Sequence, residues 1–223
     1  MGVTLAPSGR AGLAAALDDA ASAAVQAVEV LRRYAPASDL QWYGVDDPAA
    51  LPVGAADRAL LSAHETVLRR PLERTVVCPD CGEWTTLPLG RRDVGENSPC
   101  CAWCGPGVGV REPSYLDLLA AGGDAEALIA RCSIGTGATL DDLGRIEGSL
   151  SGPLRSTCVG CGTELVDDVD VMSLVIEALG ELRSTVDREV HLLATAYGWD
   201  PITIDSLPDD RRQRLADLVA GEL

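Results

Sequence analysis

Apolar and polar positions change period several times along this chain, and the changes divide it into helices and short strands. Leu13, Leu17, Ala20, Ala24, Val28, Leu31 and Tyr34 recur at helical spacing. Asp18 and Asp19 lie near the start of that run and Arg32 and Arg33 near its end, as a helix dipole favours. Pro36 closes it, and the prolines and glycines of residues 35–54 predict a loop that Trp42 and Tyr43 anchor on the core. A second helix is expected from Ala55 to Arg70, with Leu60, Leu61, His64, Val67 and Leu68 on one face. His64, set among aliphatic residues, reads as a packed helical histidine before it reads as a ligand.

The period then shortens. Leu72–Val77 and Glu83–Leu89 read as strands flanking Cys78-Pro-Asp-Cys81-Gly82, and Leu154–Thr157 and Thr163–Val166 flank Cys158-Val-Gly-Cys161-Gly162 in the same way. Between them lie a polar stretch at 91–99, a third Cys-rich segment (Cys100, Cys101 and Cys104), and a short strand at Val108–Arg111. Helices are expected from Ser114, over Asp124–Cys132 and over Leu140–Leu150. Gly135-Thr136-Gly137 lacks the Gly-Lys-Ser/Thr ending of a phosphate loop. The last third is helical: Val171, Val175, Ala178, Leu182, Val186, Val190, Leu193 and Tyr197 trace one long amphipathic face. Gly198 marks its end, Asp200-Pro201 opens a short helix, and a final helix follows Ser206 and Pro208. The fold class is α+β, mostly helical, with two or three small β-hairpins carrying Cys-x-x-Cys zinc knuckles. Three regions are expected: an N-terminal helical region over 1–71, the knuckle hairpins with intervening helices over 72–169, and a C-terminal helical block over 170–223.

Charge narrows the functions open to such a chain. Net charge is -16 over 223 residues, and all 18 basic side chains are arginine. Binding to a phosphate backbone or to an anionic membrane needs clustered positive charge, so neither partner is expected. The first residues lack a basic segment followed by a continuous apolar run, and no apolar stretch reaches eighteen residues. A cytoplasmic location follows as an expectation. There, eight cysteines in largely paired form read as metal ligands and not as a disulfide framework.

A Cys-x-x-Cys-Gly turn aims two thiolates into one pocket, and the glycine allows the positive φ that closes it. Two such turns complete a tetrahedral zinc site. A shell of four thiolates leaves no position for water or substrate, so the zinc would be structural. No catalytic constellation stands out: there is no Gly-x-Ser-x-Gly turn, and neither histidine adjoins a Cys turn. The Asp167, Asp168 and Asp170 cluster is expected to cap the helix that follows. Spacing alone makes Cys78/Cys81 with Cys101/Cys104 an ordinary zinc ribbon, which would suit a nucleic-acid or transcription module.

The run Arg188-Glu189-Val190-His191-Leu192-Leu193-Ala194-Thr195-Ala196-Tyr197-Gly198-Trp199, with Ile204-Asp205-Ser206-Leu207-Pro208 and Arg211-Arg212, resembles the C-terminal signature of the T-even-phage-type baseplate hub assembly chaperone family. Leu51-Pro52-Val53-Gly54, Asp57-Arg58, Leu60-Leu61, Ser114-Tyr115-Leu116-Asp117-Leu118-Leu119 and the two distant Cys turns extend the likeness over roughly residues 40–223. The resemblance implies a non-enzymatic assembly factor or adaptor for the baseplate or hub of a contractile phage tail or injection system. It implies that Cys78/Cys81 and Cys158/Cys161 close one site, and that Trp199, Arg211 and Arg212 meet a partner. The cluster Cys100, Cys101 and Cys104 departs from the family pattern. On this pairing Cys101/Cys104 recruit Cys100 or Cys132 for a second ion, or stay free. Both pairings of the Cys turns stand at this point.

Overall fold

The computed structural model describes Leu13, Leu17 and residues 22–89, 101–105, 107–146, 148–149 and 151–221, with residues 102–105 described by backbone alone. The expected polar stretch at 91–99 and Cys100 lie outside the described residues. The chain forms two compact units, Ala21–Val175 and a second made of residues 1–20 with Ile176–Leu223.

In the larger unit, α1 (Ala23–Tyr34) packs on α3 (Val53–Leu68), with α2 (Ala37–Tyr43) and a 3-10 turn at Pro48–Ala50 between them. The predicted loop at 35–54 is therefore partly helical. Pro36 ends α1 but has an extended backbone (φ -63, ψ 134) from which α2 can start. Gly44, at φ 65, closes α2. Trp42 is 80% exposed, so it does not anchor this segment; Tyr43 does so through its hydroxyl, which accepts a 3.2 Å hydrogen bond from Arg58. His64 is buried on α3 as expected.

Next come β1 (Leu72–Val77) and β2 (Trp84–Leu89), an antiparallel pair, and then β3 (Cys101–Gly105) and β4 (Val108–Arg111). α4 (Tyr115–Ala121) starts at a capping box in which Ser114 and Asp117 satisfy each other's backbone N–H groups. α5 (Ala125–Cys132) is capped by Asp124 and leads into β5 (Ser133–Gly135), which joins β4 to complete a three-stranded sheet. The helix expected over Leu140–Leu150 stops early as α6 (Leu140–Gly144). Gly152 and Pro153, read as breakers, belong instead to β6 (Gly152–Thr157), which pairs with β7 (Glu164–Val169). Pro153 is tolerated because a two-stranded ribbon has only edges. Asp167 and Asp168 consequently lie in β7, and Asp170 alone caps the next helix, accepting from the Ser173 N–H at 3.2 Å.

That helix, α7 (Val171–Tyr197), crosses the boundary between the units. Val175, Leu179, Leu182, Val186 and Leu193 are buried along it at helical spacing. In the smaller unit α8 (Pro201–Asp205) and α9 (Asp209–Ala220) follow, and Leu193, Ile204 and Ala216 form a core that Trp199, Leu207 and Leu215 flank. Arg212 is fully buried. It donates to Glu189 at 2.9 Å and to Asp209 at 2.7 Å. A cation without water needs such partners.

Candidate metal centre

Each knuckle is built by its backbone. In the first, the Cys78 N–H donates to the Glu83 carbonyl at 2.9 Å and the Gly82 N–H to the Cys78 carbonyl at 3.0 Å, which folds four residues into a tight turn. Gly82 sits at φ 73, where a side chain would be strained. The second repeats this: Cys158 N–H to Thr163 at 2.8 Å, Gly162 N–H to Cys158 at 3.0 Å, Gly162 at φ 78. The strands repeat too. Leu72 opposite Leu89 corresponds to Gly152 opposite Val169, and Val77 opposite Trp84 to Thr157 opposite Glu164, at one constant offset. The two hairpins are thus one backbone used twice, although within them only Cys, Cys and Gly match in place.

Alternation carries one face of each hairpin inward. Leu72, Arg74, Val76 and Cys78 share a face of the first, and Leu165, Asp167 and Val169 a face of the second. Val76 packs against the small core of Cys78, Cys158 and Leu165. Arg74 reaches Asp167 at 2.6 Å, and the Thr163 hydroxyl donates to Asp80 at 2.7 Å, so ionic and polar links also join the hairpins.

The result is a sulfur cluster. The thiols of Cys78, Cys81, Cys158 and Cys161 lie within 4.8 Å of one another, a group that can hold a metal ion. Cys78 stands 3.6 Å from Cys161, and Cys81 3.6 Å from Cys158. A tetrahedron with metal–sulfur bonds of about 2.3 Å has sulfur–sulfur edges of about 3.8 Å, so the donors already stand at ligand spacing. Cys78 and Cys158 are buried and Cys81 and Cys161 exposed, which leaves an entry path from solvent.

The four thiols are not electrostatically equivalent. Backbone N–H groups of Cys161 and Gly160 pull the Cys158 thiol down to about 6. Cys81 moves the other way. The Glu83 backbone draws it down, but hydrogen bonding to the Cys161 and Cys158 sulfurs pushes it up to about 12. Cys161 is drawn down as well, by its hydrogen bonds to the Thr163 side chain and backbone, so Cys158 and Cys161 ionise more easily and Cys81 resists. A metal ion is what would let all four sulfurs ionise together at this spacing.

Of the other sequence candidates, the Cys104 side chain lies outside the described residues. Cys101 is exposed and sits within a strand, opposite Arg111. Cys132 is fully buried among Val110, Leu143 and Ile146, and burial pushes its thiol up, which makes it an unreactive core side chain. Trp199 is half-buried and stacks on Tyr197 at 4.9 Å, and Arg211 is exposed. Arg212, expected at a partner surface, is instead sealed in the core with its ion pairs. What the sequence reading missed is the support of the cluster, Arg74 with Asp167 and Asp80 with Thr163. The inward alternation of the strands could have pointed to the first pair.

No helix among the described residues is long and apolar enough to cross a membrane. Comparison of the chain with protein-family models, with curated proteins and with solved structures returned no match.

Proposed function

We propose that this chain is a non-enzymatic interaction protein whose Cys78, Cys81, Cys158 and Cys161 bind one structural zinc ion, and that it serves as an assembly factor or adaptor for the baseplate or hub of a contractile phage-tail-like system. The observation that carries the first part is the four-thiol cluster. Such a shell is closed when filled, so the ion ties two distant hairpins together and leaves no site for substrate. Bound there, zinc would supply folding energy and no Lewis-acid chemistry. The second part rests on the resemblance of residues 188–212 to the chaperone signature.

The partner surface belongs to the smaller unit. Ile202 is 82% exposed, Tyr197 45% and Leu218 54%, and Trp199 and Arg211 lie among the same turns. Aromatic and arginine side chains of this kind anchor interfaces. Removing the whole block would also remove Ile204 and Ala216 from the core, so point changes are the cleaner test. Pull-down against baseplate and hub proteins of a contractile tail should retain them with the native chain. Ile202→Glu and Arg211→Glu should release them at unchanged zinc content. Retention by both variants would remove this surface from the interface, and tight, salt-sensitive DNA binding would overturn the reading.

A further inference from the structure

The larger unit contains a cavity of about 390 Å³ that the metal centre does not use. Val53, Leu118, Leu128, Leu143 and Met172 give it an apolar lining. Among the described residues its charged lining is of one sign: Asp57, Glu112 and Asp170 contribute carboxylates, and no arginine lines it. We propose that this cavity binds a small organic ammonium ion, its apolar body against the aliphatic wall and its nitrogen on Oε2 of Glu112.

The three carboxylates are not equivalent. Asp57 is committed to the Tyr115 hydroxyl, which donates to it at 2.5 Å, and to the Ser149 hydroxyl. Asp170 accepts from the backbone and side chain of Ser173. Glu112 is 5% exposed, and its Oε1 accepts the Gly54 N–H at 2.7 Å and the Gly148 N–H at 3.3 Å. Its Oε2 accepts no hydrogen bond among the described residues. The carboxylate is therefore fixed from one side and open on the other.

Its setting is tightly packed. A Cβ on Gly54 would fall 2.6 Å from the Gly148 carbonyl carbon, so two backbone segments meet where Glu112 is held. Burial pushes the Glu112 carboxyl up, against the Gly54 and Gly148 N–H groups and the charge of Arg58, while Asp57 adds to the rise. A buried carboxylate with an open oxygen gains from a cation that arrives with its own apolar cover. An alcohol offers no charge and a carboxylate the wrong one. The volume lies within the ordinary range of small-molecule sites.

The test titrates hexylamine, hexanol and hexanoate separately into the full metal-loaded chain and follows the methyl resonances of Leu118, Leu128 and Met172. Hexylamine should give saturable shifts and the other two none at the same concentration. Glu112→Gln keeps a carbonyl oxygen for the two glycine N–H groups and turns an amide donor toward the ligand. It should weaken hexylamine at least about tenfold, as expected for a lost charged hydrogen bond. Leu140→Trp fills the lining from a residue that is half exposed and should also abolish the shifts, which keeps the test decisive should Glu112→Gln fold poorly. Absence of saturable shifts with hexylamine, equal binding of hexanol, or full affinity in both variants would overturn the assignment.

Discussion

Cys78–Gly82 and Cys101–Gly105 share the pattern Cys-x-x-Cys-Gly, yet one is a turn between strands and the other is a strand. In the first, the Cys78 N–H bonds across the turn to Glu83 and both sulfurs face the second hairpin. In the second, Cys101 pairs with Arg111 across the ladder, with a bulge between Trp103 and Gly105. The two regions are also fastened differently. The hairpin pair has a sulfur cluster at its centre. The β3–β4–β5 sheet has a carboxylate: Asp117, on α4, accepts from Arg111 at 2.7 and 3.0 Å and from Arg131 at 3.0 Å, tying β4 to the end of α5 where β5 begins. The motif alone thus does not specify a knuckle. A knuckle also needs strands on both sides of the turn and a second thiol pair within reach.

The sharpest way to break this comparison is to exchange the cysteines. Cys158→Ser should strip the metal and loosen both hairpins. The expected cost is roughly 5 kcal/mol or more, since a structural zinc site contributes about 10–16 kcal/mol to folding. Cys101→Ser should leave metal content and melting temperature unchanged. Equal effects of the two, read by metal analysis and thermal melting, would erase the distinction.

Asp117→Asn should instead cost about 2 kcal/mol, because it unpairs two guanidinium groups that are themselves partly solvated. Metal content should not change. Burial alone would raise this carboxyl, but the Arg111 and Ser114 hydrogen bonds hold it well below the usual carboxylate range. A depressed folded value means that its stabilisation is complete above about pH 4 and drains away as pH falls further. The thiolates of a zinc site protonate at higher pH than that. Acidification should therefore release the hairpins first and the three-stranded sheet second, a sequence that hydrogen exchange of β1 and β4 amides would resolve. Simultaneous loss would mean that the two clamps are not independent.

Two smaller changes sharpen the likeness of the hairpins. The ion pair Arg74–Asp167 is partly exposed, so a double-mutant cycle should return about 0.5–1 kcal/mol by chemical denaturation. A value near zero would leave the sulfur cluster, apolar contact and the Thr163–Asp80 hydrogen bond as the links between the hairpins. Val76 and Leu165 pack together, while the equivalent position in the opposite hairpin is Ser156 for Val76 and Thr85 for Leu165, whose buried hydroxyls have no partner among the described residues. Thr85→Val should raise stability by up to about 1 kcal/mol by the same assay. Destabilisation would show that the hydroxyl has a role.

Much of this was legible in the chain. Periodicity located α3, α5 and α7, and strand patterns located both knuckle hairpins, because those segments bury one continuous face. Short elements were harder. α2 lies between prolines, and β5 is three residues long and exists only because β4 offers it an edge. Residue type also misled at Pro153, where an edge strand needs no donor, and at Arg212, whose counter-charge Glu189 stands on another helix. The pairing of the Cys turns is a long-range property, so local spacing favoured Cys101/Cys104 when the fold supplies Cys158/Cys161.

Native mass spectrometry of the intact chain, with and without Cys161→Ser, reads the central claim most directly. One zinc ion per native chain, absent from the variant, is the predicted result. A folded native chain that carries no metal, or a variant that binds it undiminished, would contradict it.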